Sequence, residues 1–380
     1  MVKKSGLIIL ILSASLFLPA CFKQQPIVTP WDLLHSKPHE QLKLRVAPAD
    51  FGRRLQYPVQ QGFEMWYTDV LCSNGMTLLI YFKIGRLYRG SSSKAEVAIQ
   101  LYQPGKPYLI KKVTTDDFEA SPDSCDVRVG KSRLFGTYPH YNLRLQIEDI
   151  QLNLALKGVI RGYKLSDNKV YFGENPKQFF NEWIVTLPRA YAQGTLMLHQ
   201  QTIPISGDVY LDHWLGNAPL NVLYAQCHWG KIYAERYTLI FLSAYAARSY
   251  QHQPLGFLML FDQDNLIAAT DRISLETITR QYSAVTNETY PTRFTITIDS
   301  PEVKGRVHCS PRHILAEINH VKKSLGAASP YLFPLARLFF GAPYSYGILS
   351  QARAKLQVKG ESISFTGQMF HEIDNKKAHL

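Results

Sequence analysis

Through most of this chain apolar residues recur at every second position. Leu143, Leu145 and Ile147 are separated by Arg144 and Gln146, and Leu152, Leu154 and Leu156 by Asn153 and Ala155. Phe294, Ile296 and Ile298 are separated by Thr295 and Thr297. A period of two sends successive side chains to opposite faces, so each run predicts a strand with one face in a core. Two hairpins are expected. In one, Leu356 and Val358, then Ile363 and Phe365, bracket Lys359-Gly360-Glu361; in the other, Gly256–Phe261 and Leu266–Thr270 flank Asp262–Asn265. Helical patterning is confined to Ser274–Gln281 and to His313–Phe340. Gly326, Pro330 and Pro334 break the second stretch into a decorated loop with one or two short helices. The expected fold class is therefore all-β, with antiparallel sheets closed into barrels or sandwiches. No 20–50-residue repeat recurs, which argues against a propeller or solenoid. A break at Ala190–Gly194 divides the strands into regions 57–193 and 194–380.

Composition narrows the partners. The chain has 380 residues, 46% of them hydrophobic, and a formal charge of +12, which excludes a disordered chain. Its Lys and Arg residues cluster only in pairs such as Arg53-Arg54 and Lys111-Lys112. Nucleic-acid binding needs a basic patch, so no nucleic-acid partner is expected, and an anionic membrane surface suits the scattered charge better.

The N-terminus fits that expectation. Lys3 and Lys4 precede the apolar run Leu7–Phe17, which is shorter than the about 20 residues that cross a bilayer and reads as a signal peptide over residues 1–20. Leu18-Pro19-Ala20-Cys21 resembles a bacterial lipobox, with Cys21 as the lipid attachment site. The expected location is the bacterial cell envelope, lipid-anchored, on the outer membrane facing the periplasm. Residues 21–56, interrupted by Pro26, Pro30 and Pro38, read as a tether. Cys72, Cys125, Cys227 and Cys309 remain, an even number in an oxidising compartment, either paired or left as buried thiols.

Two segments concentrate polar and aromatic residues: Gly62–Asp69 (GFEMWYTD) and Gly207–Gly216 (GDVYLDHWLG). As a strand, the second puts Tyr210, Asp212 and Trp214 on one face and Leu211, His213 and Leu215 on the other. A carboxylate between aromatic rings is desolvated, which raises its pKa and suits it to donate a proton. No spacing of His, Cys or carboxylates marks a metal site, and no nucleotide or nucleophile motif occurs.

Gly62–Tyr67 is similar to the G-x-E-W-W-Y segment that opens the hydroxyneurosporene synthase family, the AttH-like proteins related to carotenoid 1,2-hydratases. Tyr210-Leu211-Asp212-His213 resembles that family's Y-L-D-H block, preceded by Trp183, Pro188-Arg189 and Gly194. His228-Trp229-Gly230-Lys231 resembles its W-x-W-G-R element, and Gly367 followed by Glu372 resembles its closing strand. The resemblance implies two tandem lipocalin-like β-barrels, a hydrophobic or polyene-like ligand and no cofactor. The chain departs from the family in two places. The block reads Asp212-His213-Trp214-Leu215-Gly216, with the Trp one position early, and Phe241 and Ser243 stand where the hydratases carry a Tyr-x-Asp pair.

These readings predict a membrane-anchored binder of a hydrophobic, isoprenoid- or lipid-like molecule. Its cleft would be lined by Glu64, Trp66, Tyr67, Trp214, Trp229 and Glu372, with Tyr210, Asp212 and His213 as the chemical group. The alternatives are a cofactor-independent hydratase, isomerase or cyclase of polyenes using Asp212 as acid, and a structural envelope protein.

Overall fold

The computed structural model describes residues 26–32, 44–56, 61–89, 91–165, 168–174, 179–320, 322 and 343–375. The signal-like residues 1–20, Cys21 and most of the expected loop, 323–342, lie outside the described residues.

Two large antiparallel sheets and one small two-stranded ladder make up the fold among the described residues, as the alternation predicts. The spine of the first runs Leu109–Thr115, Ala95–Tyr102, Thr77–Gly85, Phe63–Cys72, Gln201–Gly216, Phe179–Leu198, Ile150–Ile160, His140–Ile147, Ser132–Thr137, Cys125–Val129 and Phe118–Ala120. It curls until Ala95–Tyr102 approaches Cys125–Val129, giving a nearly closed barrel. Register shifts at Val185/Leu187 and Leu187/Ala190 bend the long Phe179–Leu198 strand along the way. The second sheet runs Asn265–Thr270, Pro254–Asp262, Tyr237–Ala246, Tyr224–Tyr233, Glu361–Asn375, Tyr344–Val358, Val303–Asn319, Glu288–Asp299 and Ile273–Ser283.

Burial along each strand tells what covers it. Ile150–Ile160 alternates buried and exposed throughout, so one face is in water. Phe63–Cys72 is buried at every position, and Tyr224–Tyr233 at all but one. A strand buried on both sides is covered on both sides, and here the second cover is the other sheet. The apolar core accordingly has three main parts. Trp66, Val70, Leu78, Leu143, Leu152 and Leu211 fill the first sheet's interior. Ile232, Phe241, Phe294, Val307 and Met369 fill the second's. Tyr67, Tyr210, Trp229, Met259 and Phe370 pack between the sheets.

Both expected hairpins form. Val358 pairs with Glu361 around Lys359 and Gly360, whose φ values of 48° and 92° suit the tight turn. Asp262 pairs with Asn265, with Gln263 at φ 53°.

Other expectations change. Residues 190–195 lie inside the Phe179–Leu198 strand, paired on both sides, and the chain passes between sheets through 217–223 instead. Residues 44–56 are packed rather than a free tether: Val46 and Phe51 enter the first core and Leu44–Arg45 pairs with Tyr163–Lys164. Ser274–Gln281 is no helix but part of the edge strand Ile273–Ser283, where pairing to Glu288–Asp299 outweighs local preference. His313–Asn319 continues the Val303–Asn319 strand. Cys72, Cys125 and Cys309 are buried free thiols, Cys227 is buried too, and burial pushes the Cys72 thiol up to about 12.

Candidate functional site

The two segments singled out from the sequence pair with each other. Phe63–Cys72 runs antiparallel to Gln201–Gly216, with Tyr67 opposite Asp212, Trp66 opposite His213 and Asp69 opposite Tyr210. Directly paired residues share a face and neighbours alternate. The sequence-predicted residues are therefore split between two sides of one wall. Glu64, Trp66 and His213 point into the first barrel, whereas Tyr67, Tyr210, Asp212 and Trp214 point at the second sheet, where Trp229 and Glu372 meet them.

On the inner face Glu64, Trp66 and His213 form a closed network, while Thr68 beside them leaves its buried hydroxyl without a partner. His213 Nδ1 donates to the Asp50 carbonyl at 2.7 Å, and Nε2 meets Glu64 Oε1 at 2.9 Å. Glu64 also accepts the Arg54 and Leu55 backbone N–H groups at 2.7 and 3.1 Å. Trp66 donates its indole N–H to the Phe51 carbonyl at 2.7 Å and stacks on His213 at 4.8 Å. Asp50 in turn is bonded by Lys164 at 2.7 Å and Arg54 at 3.3 Å. His213 Nδ1, both Glu64 oxygens and the Trp66 indole hold segment 47–55, and His213 Nε2 steadies Glu64, which explains why that segment is no tether.

The outer face is left open. Tyr210 and Trp183 donate to Asp212 Oδ2 at 3.0 and 2.8 Å, while Asp212 Oδ1 is buried without a hydrogen-bond partner. Asp69 Oδ1 is bonded by Lys231 from the second sheet, while the Tyr67 hydroxyl faces Asp69 and helps hold its charge without reaching hydrogen-bond geometry, which leaves Oδ2 and the hydroxyl each short of a full bond. Lys231 is completely enclosed, with Tyr210 and Phe370 rings each 4.9 Å from its Nζ. Trp229 lies edge-on to Tyr67 at 5.5 Å and donates to Glu372 Oε2 at 2.7 Å. Trp214 instead bonds Asn181 at 2.9 Å. Gly230 separates Trp229 from Lys231 because a Cβ there would stand 2.7 Å from the His371 Cβ.

Burial dominates the electrostatics. It pushes the Asp212 carboxyl up to about 7 against the opposing Trp183 and Tyr210 bonds. It pushes Glu372 up to about 8, helped by Asp374 and opposed by the Trp229 bond. Burial also raises Asp69 and lowers Lys231, each opposed by the other's charge. Two carboxyls that hold protons near neutrality beside aromatic rings form a set able to donate and accept protons in an apolar setting. Among the described residues no group of three or more His, Cys, Asp or Glu could hold a metal ion.

Sequence reasoning missed Asp69, Lys231 and Trp183 as site members. Asp69 carried a signal, lying two positions after Tyr67 on the same strand face; Lys231 carried one too, two after Trp229. Phe241, the hydratase departure, enters the second sheet's interior, and Ser243 shares its face two residues on. A recess lined by Val46, Phe51, Tyr138, Tyr141 and Arg161 shares no residue with this cluster.

No family model matches the chain. A hydroxyneurosporene dehydrogenase of Chlorobaculum tepidum is 24% identical over 181 residues, 43% of this chain and 46% of that protein, so the likeness spans less than half of either. An AttH-type protein of Nitrosomonas europaea is similar in structure with TM-score 0.58 and 16% identity, over 87% of this chain and 100% of that one. CghA gives 0.61 and 10% over 89% and 99%, and kievitone hydratase from Nectria haematococca 0.55 and 12% over 88% and 97%. At these identities the likeness speaks for the fold: the chain has the AttH-like lipocalin fold.

Proposed function

We propose that this chain binds a hydrophobic, isoprenoid- or lipid-like small molecule at the aromatic cluster between the two sheets. One observation carries the reading. Three buried polar atoms, Tyr67 Oη, Asp69 Oδ2 and Asp212 Oδ1, have no partner within a wall of aromatic rings. Unspent polar groups in an apolar surround are what an amphipathic ligand completes. The test is fluorescence titration with N-phenyl-1-naphthylamine. Trp229→Ala weakens binding at least tenfold and Glu64→Gln, on the opposite face of the wall, leaves it unchanged; equal effects of the two would sink the reading. Anchoring by lipid on Cys21 at an envelope membrane is part of the same proposal. It predicts palmitate incorporation that Cys21→Ser abolishes.

A second reading, cofactor-independent hydration or isomerisation of a polyene, is favoured by the two carboxyls raised to about 7 and about 8. A named neighbour, kievitone hydratase, supports it by analogy of fold alone. It requires conversion of an acyclic carotenoid by the folded protein, lost when the donating carboxyl is replaced by its amide.

A further inference from the structure

We propose that Glu372, and not Asp212, is the carboxyl that meets the ligand and supplies its proton; this rests on the acid-catalysed reading above. The two groups differ first in access. Asp212 is closed in: two donors hold Oδ2, and Oδ1 has neither a partner nor exposed surface. Glu372 is partly exposed, and Trp229 holds only its Oε2. Glu372 thus carries an oxygen outside any hydrogen bond on a partly exposed residue, whereas both Asp212 oxygens lie inside the wall.

Register sets its flanks. Glu372 pairs with Trp229 on one side and with Gly347 on the other. A Cβ added at Gly347 would make ordinary contact with Ala316, Phe370 and Leu315 at 3.7–4.0 Å, so the carboxyl has an aromatic ring on one flank and a position without a side chain on the other. The groups that act on Glu372, or that it acts on, are Asp374, Asp69, Lys231, Tyr67, Tyr88 and Tyr108. With burial first and Asp374 next, they lift the carboxyl to about 8, so this carboxyl with an unbonded oxygen holds its proton near neutrality.

The step balances with Glu372 alone. Its O–H proton passes to one alkene carbon as the π bond breaks, leaving a carboxylate and a cation at the second carbon. Water adds there through oxygen, and the proton it sheds returns to Glu372.

Dicyclohexylcarbodiimide, which attacks protonated carboxyls in apolar sites, tests the assignment on the full chain, with peptide mapping as the readout. The expected result is a label on Glu372, at a rate that falls as pH passes about 8, and protection by N-phenyl-1-naphthylamine. A label on Asp212, or on neither residue, overturns the proposal. So does full conversion of an acyclic carotenoid by Glu372→Gln, checked for folding by circular dichroism. Labelling of Glu372 without conversion of any polyene overturns the acid-catalysed reading and leaves the access assignment standing, so the two failures are separable.

Discussion

The two faces of the Phe63–Cys72 and Gln201–Gly216 wall carry similar residue types toward opposite ends. Inside, an acid, an aromatic ring and a histidine satisfy one another and hold segment 47–55. Outside, acids and aromatic rings leave Tyr67, Asp69 and Asp212 each with an unpartnered atom. Both faces are buried, so burial does not separate structure from function here. The bonding of these particular groups differs: Glu64, Trp66 and His213 have nothing left for a ligand, whereas Tyr67, Asp69 and Asp212 each keep an unpartnered atom, as do Thr68 on the inner face and His228 and His371 in the second sheet's interior.

Substitutions sharpen this contrast. The largest effect is expected for Lys231→Met, which strands Asp69 in the interface and costs about 3–5 kcal/mol in urea denaturation. His213→Ala, on the closed face, leaves a Glu64 oxygen and the Asp50 carbonyl short of a donor and costs about 2–4 kcal/mol. Asp212→Asn, on the open face, goes the other way. Burial pushes the folded carboxyl up to about 7, from the 3.8 of an exposed aspartate. The native state therefore holds its proton across that window, and the stability Asp212 contributes is lost as pH rises through it. The amide keeps the Trp183 and Tyr210 bonds without the titration. It should gain about 2–4 kcal/mol at pH 8 and almost nothing at pH 4. Destabilisation of Asp212→Asn at pH 8 would break the comparison.

The histidines give the most gradual test, spread over several pH units. His213 has partners on both nitrogens, whereas His228 and His371, in the second sheet's interior, each leave Nδ1 without one. Burial pushes them down to about 4 and about 3. Below pH 6.5 the unfolded chain takes up protons that the native state refuses, so stability falls with acidification. Each histidine contributes up to about 1.4 kcal/mol per pH unit until its folded value is reached. His371→Gln should flatten the pH profile between 6 and 4, read by thermal melts.

Much of this architecture was legible from residue spacing. Strict alternation from Leu143 to Leu156 marked strands, Lys359-Gly360 marked a turn, and the placement of Tyr210, Asp212 and Trp214 on one face held. Alternation assigns a side chain to a face, however, without telling what covers that face. Glu64 and Trp66 were therefore grouped with Tyr67, although the pleat sends them to the other side. The 44–56 segment was invisible for a different reason: Pro48 and Asp50 break any period, and its burial comes from Phe51 and from carbonyls that accept Trp66 and His213. The Lys231–Asp69 contact lies between sheets, so nothing local to either residue announces it.

That contact has a consequence for how the molecule is made. Asp69 leaves the ribosome 162 residues ahead of Lys231. Until the second sheet follows, the first presents a lone acid amid tyrosines on a face meant to be dry. Neither sheet can seal its own charge, so each is unfinished until the other arrives. A chain stopping after Gly216 would leave that face uncovered.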